Sequence, residues 1–313
     1  MQVKYKKRVG ILRGGAGSQY KSSLEKGGEI IFFILQNMSG KCDVFDILVD
    51  KDYIWHMNGL PISPSDLAQK VDVVWNVSHP SLSNILDSLS IPNIGINPFS
   101  SSISSSREML KKHIEGVNVE MPRHIVLPVY QKDFDGPIER YSIKKAKEVF
   151  EKFSPPWIVQ PASPSLGGSL TLNLNMGIHV AKTFPQLISA IEDCVNHGQS
   201  ILVEEFIAGK IASVHSVTGF RGEDVYAFPP MNVLGDFSVD EKDKLINLAK
   251  DLHKHIGAKH YLKSSFVLNR RGKAYLINVE LSPDLKPHSH FSTVAERVGA
   301  KMHHIVEHIL EQA

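Results

Sequence analysis

Apolar residues are spaced along this chain in two alternating rhythms. Short β-branched runs, RVGIL (8–12), VFDILV (44–49), VDVVWNV (71–77) and IPNIGI (91–96), predict strands. Between them, apolar positions at helical spacing predict helices from Ser22 to Gln36 and over SLSNILDSLS (81–90). A glycine turn, Gly14, Gly15 and Gly17, separates the first strand from the first helix. Strand and helix in alternation predict a largely parallel sheet with helices on its faces, because parallel neighbours need a long crossover.

The segment NPFSSSISSSREMLKKHIEG (97–116) reads as a serine-rich loop at a domain boundary, with Ser106 capping a helix that starts at Arg107. A serine run is equally the composition of a flexible linker. Beyond it, RHIVLPV (123–129), PPWIVQPA (155–162), GIHVAKT (177–183), SILVEEFIAG (200–209), ASVHSVTGF (212–220) and DVYAFPPMNV (224–233) are strand candidates. The interleaved SIKKAKEVFEKF (142–153) and FPQLISAIEDCVNHG (184–198) are apolar at helical spacing. The tail predicts a helix over 240–256, two paired strands over 261–269 and 273–281 joined by RRG, and one last helix from Ser292 to Leu310.

Composition narrows the class. A chain of 313 residues, 42% hydrophobic and 22% charged, can bury a sizeable core and hold two or three sub-domains. The formal charge of +2 gives no field that calls for nucleic acid or a membrane surface. Its longest apolar run, IIFFIL (30–35), is far short of the ~20 residues that span a bilayer. The two cysteines, Cys42 and Cys194, match no metal or CxxC spacing, which favours a reduced, cytoplasmic setting.

Four stretches carry candidate chemistry. RGGAG (13–17) is either a phosphate cradle at a helix start or, the favoured reading, a plain tight turn, since it fits neither GxGxxG nor GxxxxGK[ST]. WIVQPASPSLGGS (157–169) ends in a glycine- and hydroxyl-rich loop of the kind that folds over phosphates, or it is ordinary loop punctuation. In ILVEEFIAGK (201–210), the adjacent Glu204 and Glu205 point to opposite faces of a strand, so one of them faces inward. In YLINVELSPDLKPHS (275–289), Asn278 and Glu280 share a face across from Ser265 on the paired strand. That is an oxygen-rich set suited to Mg²⁺, or a solvated polar face.

Taken in order, these stretches resemble the D-alanine–D-alanine ligases of the ATP-grasp superfamily. GILRGGAGSQYKSSLEKG, GINPFSSSISSSREMLKK, PWIVQPA, ILVEEFIAGK, AFPPMNV and INVELSPDLKPHSH follow that family's motif order over nearly the whole chain. The resemblance implies an α/β protein with an N-terminal parallel α/β domain (1–103), a central ATP-grasp lid sub-domain (104–206) and a C-terminal ATP-grasp domain (207–313). It implies an ATP-dependent carboxylate–amine ligase acting on D-alanine or a similar amino acid through an acylphosphate, in peptidoglycan biosynthesis, and it admits a homodimer.

The resemblance also assigns site positions, several with altered chemistry. The substrate-amine glutamate falls on Gln19, the nucleotide-binding lysine on Arg107, and the phosphate-contacting lysine on Gln160, where its charge is lost. The lid glycines fall on Gly167 and Gly168, and the adenine-holding stretch on Glu204, Glu205, Phe206 and Ile207. The arginine that steadies the reaction intermediate falls on Lys263, which keeps the charge without the guanidinium fork, and Ser289 keeps the second substrate's carboxylate site. The metal ligands fall on Ser265, Asn278 and Glu280, one carboxylate where the family has two, so one weakly held Mg²⁺ is the expectation. The loop after AFPPMNV is short, which would leave an acylphosphate open to water. Weakened or altered ligation is expected, with nucleotide binding alone or ATP hydrolysis as alternatives.

Overall fold

The computed structural model describes residues 5–16, 20–95, 97–162 and 178–313. Strands β1 (Lys7–Gly14), β2 (Cys42–Val49), β3 (Trp55–Met57), β4 (Leu60–Pro61), β5 (Val73–Asn76) and β6 (Asn93–Ile94) form a first sheet in the order β4-β3-β2-β1-β5-β6. β1 lies between β2 and β5, and these neighbours and β6 run parallel, as the alternating pattern predicts. The antiparallel β3–β4 hairpin that extends one edge was not legible in the pattern, because its strands are too short to show a period.

Helix α1 (Tyr20–Met38) lies against this sheet through Ser23, Gly27, Ile30, Ile34 and Met38, spaced three or four apart. The turn before it needs its glycine. Gly14 has φ +88°, and a Cβ there would stand 2.2 Å from the Val49 carbonyl oxygen. Two short helices, α2 (Leu67–Lys70) and α3 (Ser81–Ser88), cover the opposite face with Leu67, Leu82 and Leu86.

The serine run is not a loop. It forms helix α4 (Pro98–Ser105), started by Pro98 and by the Asn97 side chain, which accepts from the Phe99 amide. Ser106 then caps α5 (Arg107–His113) as expected, accepting from the Met109 amide at 3.3 Å.

The middle layer contains β7 (His124–Leu127), α6 (Lys132–Asp135), α7 (Ile138–Lys152), β8 (Trp157–Pro161), β9 (His179–Ala181), α8 (Phe184–Val195) and β10 (Ile201–Glu205). Its antiparallel sheet runs β7-β10-β8-β9 over a core that includes Trp157, Tyr141, Leu187 and Ile191.

The third layer holds β11 (Gly209–Thr218), β12 (Val225–Ala227), β13 (Met231–Leu234), α9 (Val239–Ile256), β14 (Tyr261–Asn269), β15 (Ala274–Glu280), α10 (His290–Arg297) and α11 (Met302–Glu311). Its sheet runs β12-β11-β14-β15, with β13 also on β11. DVYAFPPMNV is therefore two strands, divided at Pro229 and Pro230, which cannot donate to a ladder. The expected last helix is also two, broken where Gly299 turns left-handed at φ +71° and the Ala300 amide closes back on the Ala295 carbonyl.

Helix α9 opens with a complete capping box, Ser238 with Glu241, and closes on left-handed Gly257. One core joins the first and third layers: Val9, Ile30, Ile34 and Trp75 share it with Val217, Phe228, Phe291 and Ile305. A second gathers Ile103, Leu110 and Ile114 of the α4–α5 region against α9 and β14.

Candidate functional site

Two carboxylates organise the polar groups of the molecule. On β10, Glu204 turns inward and Glu205 outward, the split that strand alternation requires. Glu205 is drawn to the surface by a forked pair from Arg123, at 2.9 and 3.0 Å, and those hydrogen bonds hold its carboxyl below the usual range. Glu204 is 5% exposed, and its Oε2 accepts from the Arg107 guanidinium at 3.0 Å and the Gln160 amide at 3.3 Å.

Its other oxygen, Oε1, is buried with no partner among the described residues. A buried carboxylate oxygen is costly to leave without a donor, so this position is built to receive one. Arg107 reaches it from α5, whose base is fastened to the end of α9 by His113 Nε2 on the His255 carbonyl oxygen at 2.8 Å. Next to Glu205, Phe206 is 38% exposed and Ile207 is half-buried, at the exit from β10.

The second carboxylate stands on β15. Register sets two polar rungs across one face of the third sheet: Ser213, Ser265 and Asn278, then His215, Lys263 and Glu280. Lys263 Nζ donates to Glu280 Oε1 at 2.9 Å and Asn278 Nδ2 donates to the same oxygen at 3.3 Å. Both partners of the ion pair are about nine-tenths buried.

Ser265 is committed to Ser213, with 2.9 Å between the hydroxyls. His215 lies behind, its Nδ1 2.7 Å from the Tyr261 hydroxyl and its ring stacked on Phe291 at 4.8 Å. Burial holds His215 well below the ordinary imidazole range and pushes the Tyr261 phenol up. Ser289 caps α10, accepting from the Ser292 amide while donating to the Asp284 carbonyl oxygen. Gln19, Gly167 and Gly168 lie outside the described residues.

The chain matches no protein-family model. It is 24% identical to the D-alanine–D-alanine ligase of Glaesserella parasuis, with 97% of each chain covered, and 23% identical to that of Halalkalibacterium halodurans, with 96% and 97% covered. Among solved structures it is similar to the D-alanyl-alanine synthetase A of Vibrio cholerae, at TM-score 0.74, 20% identity and 98% of both chains. A Bacillus anthracis D-alanine–D-alanine ligase solved in complex with ATP gives TM-score 0.68 at 19% identity, with 98% of this chain and 96% of that one covered. Over nearly its whole length the chain is thus similar to D-alanine–D-alanine ligases.

Its fold is the ATP-grasp fold. For a D-alanine–D-alanine ligase relative, the two carboxylate clusters differ in what they will accept. An adenine nucleotide fits the first, because Glu204 Oε1 awaits a donor and Arg107 brings a cation beside it. A divalent cation does not fit the second. Glu280 is the sole carboxylate of the three expected ligands, and Lys263 and Asn278 already occupy its Oε1. Among the described residues, no three His, Cys, Asp or Glu side chains gather as a metal site. The three residues expected to hold Mg²⁺ thus present one carboxylate, and Lys263 is paired with it across the strands.

Motif reading missed two members of this constellation, Arg123 and His215. His215 could have been found from its two-residue spacing to Ser213 on a strand, which puts both on one face.

Proposed function

We propose that this chain is an adenine-nucleotide-binding protein and an ATP-dependent carboxylate–amine ligase, with D-alanine or a similar amino acid as substrate and with weakened or altered activity. The observation that carries the reading is the open oxygen of buried Glu204, which faces a donor such as the exocyclic amine of adenine. Arg107 and Gln160 hold that carboxylate still, and the apolar Phe206 and Ile207 offer a surface for the base. Lys263 supplies positive charge where negative charge would develop. When bound, ATP would supply the phosphoryl group that makes a carboxylate reactive toward an amine.

In this reading residues 1–103 present substrate, and 104–206 and 207–313 enclose the nucleotide, in a cytoplasmic setting. Among the described residues no helix is long and apolar enough to cross a membrane. A second reading, nucleotide binding without ligation, is favoured by the pairing of Glu280 with Lys263. Phosphate release from ATP, measured with and without D-alanine, separates the two. Release that depends on D-alanine supports ligation, and stabilisation by ADP without release supports the second reading. Neither effect would overturn both.

A further inference from the structure

On the second polar rung of the third sheet, one group takes no part in the pairing of Lys263 with Glu280. His215 stands directly across from Lys263 in the β11–β14 register, and Lys263 directly across from Glu280. The His215 ring is 2% exposed and stacked on Phe291, and its Nε2 has no partner among the described residues. Its Nδ1 and the Tyr261 hydroxyl share one hydrogen bond of 2.7 Å, and that bond selects the tautomer. If the ring donated, Nε2 would lack a donor and the phenol proton would lack an acceptor, two unmet groups in a buried place. If the phenol donates, Nδ1 is served and the ring proton sits on Nε2, a single unmet N–H. Burial keeps the ring neutral and the phenol protonated, as this assignment requires.

Resting on the ligase reading above, we propose that the His215 Nε2–H and the Lys263 ammonium form a two-donor clamp for the carboxylate of the amino-acid substrate. A carboxylate offers two oxygens in one plane and is best held by two donors side by side, an arrangement that a single ammonium does not preorganise and a neighbouring N–H completes. Lys263 is already paired with Glu280 at 2.9 Å, so what His215 adds is a directed donor rather than charge. Space for a small group borders this cluster at both ends. Tyr261, the partner of His215, and Leu281, Ser282 and Pro283, which follow Glu280 directly, line a cavity of about 30 Å³ between the first and third layers. At ~10–15 Å³ for each water-sized atom, it has room for the two oxygens of a carboxylate.

The test is calorimetric titration of D-alanine, and of D-alaninol, which lacks the carboxylate, into the full chain in the presence of ADP. H215F keeps a ring against Phe291 and removes the donor, H215Q returns a donor at the place of Nε2, and K263R supplies two donors from one guanidinium. In the wild type D-alanine should bind roughly tenfold or more tighter than D-alaninol. H215F should lose about tenfold for D-alanine, and either H215Q or the addition of K263R to H215F should recover it, with ADP affinity unchanged throughout. If H215F does not fold, H215N, with a donor at the Nδ1 place alone, makes the same contrast with H215Q. Unchanged D-alanine affinity in H215F, a loss that neither H215Q nor K263R recovers, an equal loss of ADP affinity, or equal binding of D-alanine and D-alaninol overturns the inference and leaves the ligase reading standing. Absence of D-alanine binding also overturns the inference, and the ligase reading falls with it only where phosphate release from ATP is independent of D-alanine as well.

Discussion

Glu204 and Glu280 are both buried carboxylates on strands of antiparallel sheets, yet they stand in opposite conditions. Glu204 has one oxygen served by Arg107 and Gln160 and one without a partner among the described residues, whereas Glu280 has the Lys263 ammonium and the Asn278 amide on a single oxygen. The difference lies in open valence rather than in burial. A buried acid with an unused oxygen is a recognition site, and one already neutralised is a structural anchor that shapes the charge around it.

The largest expected effect comes from removing the cation that makes Glu204 tolerable. Arg107→Ala leaves a carboxylate with 6% side-chain exposure beside a neutral amide. Breaking such a pair from one side costs on the order of 3 kcal/mol, which urea denaturation will show, together with loss of stabilisation by ADP. An Arg107→Ala protein of wild-type stability would erase the distinction between the two acids.

Acid exposes a different weakness of the third layer. His253, bonded to Ser216 and Thr218, and His260, beside the Asn93 backbone, are held down to about 4 by burial, and His215 lies well below its ordinary range. An unfolded chain takes up protons near pH 6.5 that these folded imidazoles refuse, so their stabilisation is full above that pH and is lost as pH falls from about 6.5 toward 4. For His253 the loss reaches on the order of 3 kcal/mol by the lower limit. Thermal melting across this range should fall steeply, and His253→Gln should flatten the fall. A flat profile in the wild type would contradict the burial of these rings.

A smaller effect is expected at Gln160. Gln160→Ala removes one neutral donor, held at a long 3.3 Å, from the Glu204 carboxylate and should cost about 1 kcal/mol. Gln160→Lys should strengthen ADP binding by roughly tenfold, the worth of one partly screened charge. Weaker binding in Gln160→Lys would show that this position does not face the phosphates.

The sequence made the alternation of the first sheet legible because each strand and helix there follows its own period. The inward turn of Glu204 and the shared face of Ser265, Asn278 and Glu280 were legible from the two-residue repeat of strands. Period alone misled where a special residue interrupted it, at Gly299 between α10 and α11 and at Pro229 and Pro230 between β12 and β13. It misled in the opposite sense at Ser100–Ser105, where the Asn97 cap and Pro98 start a helix that serine composition conceals.

The most direct measurement is competition calorimetry of ADP against inosine diphosphate, which carries an oxygen where adenine carries its amine. If Glu204 Oε1 awaits a donor, ADP binds tighter on the order of a hundredfold, because the inosine oxygen would face a carboxylate. Equal affinities for the two would contradict the assignment of Glu204 as the group that reads the base.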